Sequence, residues 1–210
     1  GLSLPLSPLN ALRRRALEEL SRQRQALPQR RKLPFQPGVR YENPKEPPVF
    51  TLSLRTADQL SADLLRLKPA LLYLPANELA AHPDAVRHCR QAGVPVVVSL
   101  PRICTDRELP QLERDLIALR ELGVTEALCG TWGAVRRAPQ LGFQVRGDYG
   151  LGAYNSQTMK ELKRLGLIGA TVSFEMKFPQ IRDISKTLPT EFIAYGRLPL
   201  MITENCAVKG

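Results

Sequence analysis

The sequence predicts an α/β domain of the TIM-barrel type: about seven parallel strands in an incomplete barrel, preceded by a basic helix and a Pro-rich linker. Three observations predict it. From Val49 onward, short apolar runs alternate with helical stretches, which means a parallel sheet with crossover connections. Glycines stand where several helices should end (Gly93, Gly123, Gly142 and Gly166), as C-capping requires. No GxGxxG turn follows the first strand; Leu54-Arg55-Thr56-Ala57 occupies that place, which argues against a dinucleotide-binding half. A closed barrel wants eight strand–helix units, and seven are visible.

Ser7-Pro8 reads as a helix start, a hydroxyl cap followed by Pro at the first helical position. Leu9, Leu12, Ala16, Leu17 and Leu20 then recur at helical spacing, with arginines and glutamates on the other side. Residues 27–48 hold six prolines and few periodic apolar positions, so they read as an extended linker. The organisation is therefore 1–48, helix plus linker, and 49–210, barrel-like domain. Strands are expected at 49–54, 70–74, 94–100, 125–129, 143–147, 170–174 and 191–195. Helical stretches fall at 56–67, 78–92, 106–122 and 156–165. Asn155 or Ser156 caps the last of these, and Leu162 and Leu165 face its core side.

Composition bounds the function. Hydrophobic content of 43% and charged content of 24% are those of an ordinary globular protein, and no apolar run reaches the ~20 residues of a membrane helix. With no signal-type segment at the start, a cytoplasmic setting is the default. The chain begins at Gly1 rather than Met, which suggests a piece of a larger protein.

The formal net charge is +10, and it is uneven: residues 1–48 carry ten Lys/Arg against four Asp/Glu. Such a surplus attracts phosphate polymers, so RNA is a candidate partner through Arg13, Arg14, Arg15, Arg22, Arg24, Arg30, Arg31 and Lys32. No aromatic residues are interleaved there to stack on bases, and a solvated helix face is the competing reading. Cys89, Cys104, Cys129 and Cys206 lie far apart without CxxC spacing, so they form neither a disulfide framework nor a zinc site by themselves.

If the strands are parallel, their C-terminal ends gather on one rim. Those ends supply Arg55, Pro75 and Asn77, Pro101 and Arg102, Thr131 and Trp132, Asp148 and Tyr149, Glu175, then Gly196 and Arg197. Two carboxylates, several arginines and two aromatics suit an anionic or peptide-like ligand. Asp148 is an acid/base group or ligand anchor, or else a turn former beside Gly147. Glu175 is the second carboxylate, or a salt-bridge partner of Arg197 or Lys177. Arg197, after a Tyr-Gly turn, is placed for bidentate contact with a carboxylate or phosphate. The two histidines, His82 and His88, do not share a helix face; HExxH and GxSxG motifs are absent, so a histidine-based triad is not expected on this chain.

Four stretches carry a family resemblance. They are Leu6 to Arg14 (LSPLNALRR), Arg146 to Ser156 (RGDYGLGAYNS), Ala170 to Glu175 (ATVSFE) and Tyr195 to Cys206 (YGRLPLMITENC). In that order they resemble the collagenase-like peptidases of unknown catalytic type, family 32. The resemblance implies a protease acting on a peptide or protein substrate, with Asp148, Glu175 and Arg197 catalytic. Arg55, Arg102, Tyr149, Asn155 and Tyr195 would then bind substrate. Some relatives are hydroxylation or maturation factors for tRNA or ribosomal RNA that hold an iron–sulfur cluster on four cysteines. At the matching positions this sequence has Pro199 and Cys206, so Cys206 could be a ligand only with cysteines outside this chain. A non-catalytic scaffold is the third alternative.

Overall fold

Thr51–Ser53 (β1), Leu71–Pro75 (β2), Val96–Ser99 (β3), Glu126–Cys129 (β4), Gln144–Gly147 (β5), Gly169–Thr171 (β6) and Thr190–Glu191 (β7) form one seven-stranded sheet. The computed structural model describes residues 5–27, 34, 42–199 and 201–203. Every neighbouring pair of strands is parallel, and the order in the sheet is the order in the chain. That is single winding, as in a barrel, and not the reversal of a doubly wound sheet. Among the described residues β1 pairs only with β2 and β7 only with β6, so the wall they form is open at one seam.

Between the strands lie helices Ala62–Arg66 (α2), Ala76–Ala81 (α3), Pro83–Gln91 (α4), Leu109–Glu121 (α5), Trp132–Arg137 (α6), Ser156–Arg164 (α7) and Phe178–Asp183 (α8). The stretch expected at 78–92 is two helices, because Pro83 interrupts the ladder at His82. The expected strands are all present, and all but β2, which keeps five residues, are shorter. The largest loss is in the last, where 192–195 leave the sheet after Glu191. The four expected capping glycines all take positive φ; Gly142 at 84° closes the turn before β5. Leu165 caps α7 and is exposed, against the expectation that it faces the core.

The two faces of the sheet differ. On one, Leu72, Leu74, Val98, Ala127, Cys129, Val145, Ala170 and Val172 pack against Leu79 of α3, Leu116 and Leu119 of α5, and Met159 and Leu162 of α7. Leu79, Leu119 and Met159 are fully buried, and each contributes roughly 1.5–3 kcal/mol relative to exposure. Tyr73 and Val97 are as deeply buried but stand outside this apolar layer. They point to the opposite face, as strand alternation demands.

How strongly the sheet curls follows from one hydrogen bond. The Tyr73 hydroxyl on β2 donates to Glu191 Oε1 on β7 at 2.7 Å. At about 4.8 Å per strand, five steps across a flat sheet would separate these strands by roughly 24 Å. Two side chains cannot bridge that, so the sheet is rolled into a half-barrel with Tyr73 and Glu191 in its lumen.

The chain divides into two compact units, Gly1–Gly38 and Val39–Gly210. In the first, Leu6–Gln25 (α1) is a 20-residue helix with no buried residue. It starts a residue before Ser7, with Pro5 as N-cap, so Ser7-Pro8 lie within the first turn. Pro is tolerated there because the first amides of a helix lack partners in any case. In the second unit, Asn43 donates to the Ile184 carbonyl at 2.9 Å and accepts from the Lys186 amide at 2.8 Å.

Candidate functional site

Parallel register places hydrogen-bonded neighbours on the same face, so inward positions can be traced across the sheet. Tyr73 aligns with Val97, Val97 with Glu126, Leu128 with Arg146, and Thr171 with Glu191. The lumen therefore holds Tyr73, Glu126, Arg146 and Glu191, a polar set behind an apolar wall. Arg146 Nε meets Glu126 Oε2 at 2.5 Å, with both side chains less than a quarter exposed. Burial raises the Glu191 carboxyl above its ordinary range, while the Tyr73 bond and the Arg146 charge pull it back. Burial, with Glu191 beside it, pushes the Tyr73 hydroxyl far above its usual value.

Above the lumen, at the C-terminal ends of β3 to β6, a second group forms the rim. Asp148 follows β5 directly and starts a short 3-10 turn, its Oδ1 accepting from the Tyr149 amide at 2.8 Å. Burial raises its carboxyl, and the Tyr149 amide and Arg102 offset part of that rise. Arg102, three residues beyond β3, lays its guanidinium over the Tyr149 ring, 4.4 Å from the centroid. The other neighbour of Tyr149 is Phe174, edge-on at 5.2 Å and 71°. Gly150 permits this approach: a Cβ there would sit 2.5 Å from the Gly130 carbonyl oxygen and 3.1 Å from Arg102 Nη2.

Glu175, next to Phe174, accepts a hydrogen bond from the Tyr154 hydroxyl at 2.5 Å. It pairs with neither Arg197 nor Lys177 among the described residues. The rim thus brings together Arg102, Asp148 and Tyr149, and Phe174 links them to Glu175. Among the described residues, no hydrogen bond, ion pair or ring contact joins the other candidates to this group. Asn155 caps α7, its Oδ1 accepting from the Gln157 and Thr158 amides at 3.0 and 2.9 Å. Arg55 is exposed, and its backbone amide is held by Gln59 at 2.7 Å. Tyr195 is 99% exposed, and Arg197 is exposed as well. Cys206 lies outside the described residues.

The sequence reading missed Tyr73, Glu126, Arg146 and Glu191 as one set, and missed Tyr154 as the partner of Glu175. A signal for the first group existed: each is a polar residue breaking a short apolar run at the inward parity.

The described residues do not fit a four-thiolate cluster. Cys89 and Cys129 are buried free thiols, raised by burial to about 11 and about 12, and Cys104 is exposed elsewhere. No group of three or more His, Cys, Asp or Glu among the described residues could hold a metal ion. No described helix is long and apolar enough to cross a membrane.

Comparison with known proteins agrees with this architecture. The sequence model of peptidase family U32 matches residues 75–210, well over half the chain. No curated protein matches it significantly. Among solved structures, the U32 peptidase Mk0906 is similar at 15% identity and a TM-score of 0.50, over 74% of this chain and 71% of that one. A glycerol uptake operon antiterminator regulatory protein from Listeria monocytogenes aligns at 11% identity and a TM-score of 0.43, over 72% of this chain and 95% of that one. A 3-dehydroquinate dehydratase from Geobacillus kaustophilus aligns at 14% and 0.44, over 72% and 75%. At 15% identity the likeness to Mk0906 concerns the fold alone.

Proposed function

This chain belongs to peptidase family U32, and from that membership we propose that it hydrolyses peptide bonds at the C-terminal rim of its half-barrel. The observation that carries the reading is Asp148. Burial lifts its proton affinity, and Arg102 beside it keeps the carboxylate accessible. A carboxyl raised toward the working pH is suited to take a proton from water and return it to a leaving group. In this reading water oxygen attacks the peptide carbonyl carbon while Asp148 takes the water proton. The C–N bond then breaks and that proton passes to the departing nitrogen. Glu175, held by Tyr154, and Arg197 are the further groups proposed to contact the substrate backbone.

The test is release of new amino termini from casein or gelatin by the purified chain. Asp148→Asn should lower the rate at least about 100-fold, the lower range for loss of a general base. A wild-type rate equal to buffer, or an unaffected Asp148→Asn variant, refutes the assignment.

A second reading, an RNA-modifying factor, draws on the ten Lys/Arg against four Asp/Glu in residues 1–48. It requires cysteine ligands additional to Cys206. Retention of a tRNA or rRNA fragment that weakens steeply with salt and is lost when Arg13, Arg14 and Arg15 become Ala would favour it. Retention unchanged in that variant would count against it.

A further inference from the structure

We infer that Arg102, stacked on Tyr149 beside Asp148, is a seat for the terminal carboxylate of a peptide whose last side chain is aromatic. The protein would then trim peptides from their C-terminal ends. The inference rests on the peptidase reading above and names the substrate class of that same site.

Arg102 is the first observation. Its guanidinium is half-buried and fixed by the Tyr149 ring, yet no hydrogen-bond acceptor or ion-pair partner holds it among the described residues. Arg146, the other half-buried arginine among the described residues of this unit, is bound by Glu126. Guanidinium donors form a planar fork that matches a carboxylate two bonds at a time. Stacking on Tyr149 leaves the edge of that fork available, because the ring covers only its face.

Spacing is the second observation. Arg102 and Asp148 both approach the bare backbone of Gly130: a Cβ there would lie 3.5 Å from Asp148 Oδ2 and 3.8 Å from Arg102 Cγ. The two side chains thus converge on one point of the rim, with the Arg102 charge near enough to act on the Asp148 carboxyl. One residue of extended chain spans about 3.3–3.6 Å. With a carboxylate seated on Arg102, the last peptide bond lies one such step along the chain, and it is this bond that is proposed to meet Asp148. Hydrolysis there adds water across that bond: the carbonyl carbon gains the hydroxyl oxygen, the C–N bond breaks, and Asp148 relays a proton to the released nitrogen. The products are a shortened peptide and a free amino acid.

Phe174 supplies the third observation. It meets Tyr149 only edge-on and remains 40% exposed, so a large part of the ring is uncovered directly beside the Arg102–Tyr149 stack. An aromatic side chain of the ligand can cover it in an offset or edge-on arrangement. An aliphatic methyl covers far less of it.

The experiment measures binding of product-like ligands to the whole chain, by titration calorimetry or ligand-observed NMR, so that it does not depend on turnover. The ligands are N-acetyl-phenylalanine, its C-terminal amide, and N-acetyl-alanine. The acid should bind about tenfold or more tightly than the amide, and the aromatic acid more tightly than the alanine acid. Arg102→Ala should abolish the acid-over-amide preference, Arg102→Lys should retain part of it, and Phe174→Ala should erase the aromatic preference. Equal binding of acid and amide by the wild-type chain, or no binding of either, overturns the inference, and neither result depends on how a variant folds. Hydrolysis that proceeds equally well on peptides with amidated C-termini would overturn it while leaving the peptidase reading intact. Acid-selective binding without any hydrolysis would keep the carboxylate seat and remove the peptidase reading.

Discussion

Replacing Tyr73 by Phe removes one oxygen atom and leaves the ring in place, so it isolates the bond that joins β2 to β7. Tyr73 is 4% exposed and its hydroxyl donates to Glu191 at 2.7 Å. Without it a sheltered carboxylate loses a donor, and a hydrogen bond to a charged group contributes about 1.5–3 kcal/mol. For a unit of this size each kcal/mol moves the melting temperature by roughly 2–4 °C, so a fall of about 3–12 °C is expected. The effect has a pH signature. Burial raises the folded-state affinity of Glu191 for its proton, and the Tyr73 bond opposes that rise. Above the folded pKa the acceptor is charged and the full loss appears. Below it the acceptor is neutral and the loss shrinks toward about 0.5–1.5 kcal/mol. Urea unfolding of wild type, Tyr73→Phe, Glu191→Ala and the double variant gives the coupling directly. A coupling below about 0.3 kcal/mol is ordinary additivity; it would mean that the two side chains do not meet, and the curled sheet would have to be redrawn.

Other outcomes follow from the same geometry. Asp148→Asn should remove activity while stabilising the protein wherever the wild-type carboxyl is charged. Its raised pKa means that the wild-type group favours folding only while protonated, and that contribution is lost as pH rises through the folded value, so in thermal melts the variant's advantage should grow from the ordinary carboxylate range up to that value and then level off. Gly150→Ala drives a methyl into the Gly130 carbonyl and should cost at least about 1–3 kcal/mol together with rim activity, read by chemical unfolding and the peptide assay. Leu119→Ala, at a fully buried position on α5, should cost about 2–5 kcal/mol without altering the relative preference among peptides. Asn155→Ala should cost about 1 kcal/mol of stability through loss of the α7 cap and leave peptide affinity unchanged; a selective loss of affinity would restore it as a binding residue.

The alternation of apolar runs with helical stretches was enough to read the winding, because each run is short, β-branched or leucine-rich, and bounded by a glycine or proline. The rim was legible for a topological reason: parallel strands bring their C-terminal ends together whatever their exact length, so Arg102, Asp148 and Tyr149 could be grouped from order alone. What could not be read was the lumen. A four-residue strand such as Glu126–Cys129 offers only two inward positions, too few for a period of two to stand out. Only the cross-strand register joins Tyr73, Glu126, Arg146 and Glu191. The last strand misled for a similar reason. Phe192, Ile193 and Ala194 continue an apolar run, but β7 ends at Glu191, so a residue taken as a strand beginning lies at the strand end. Asn155 was legible as a cap from its place before a helical run, but one residue type serves both helix caps and ligand contacts, and sequence does not say which amides lie nearby.

Because every strand pairs with its neighbour in the chain, the ladder contacts span short loops, from 18 residues between Glu126 and Gln144 to 29 between Val97 and Glu126. The Tyr73–Glu191 bond closes a loop of 118. Assembly of this unit can therefore proceed by zipping strand onto strand, with low entropic cost at each step, and the cross-lumen link should form late. Mutations in that link should then hasten unfolding and leave the refolding rate almost untouched.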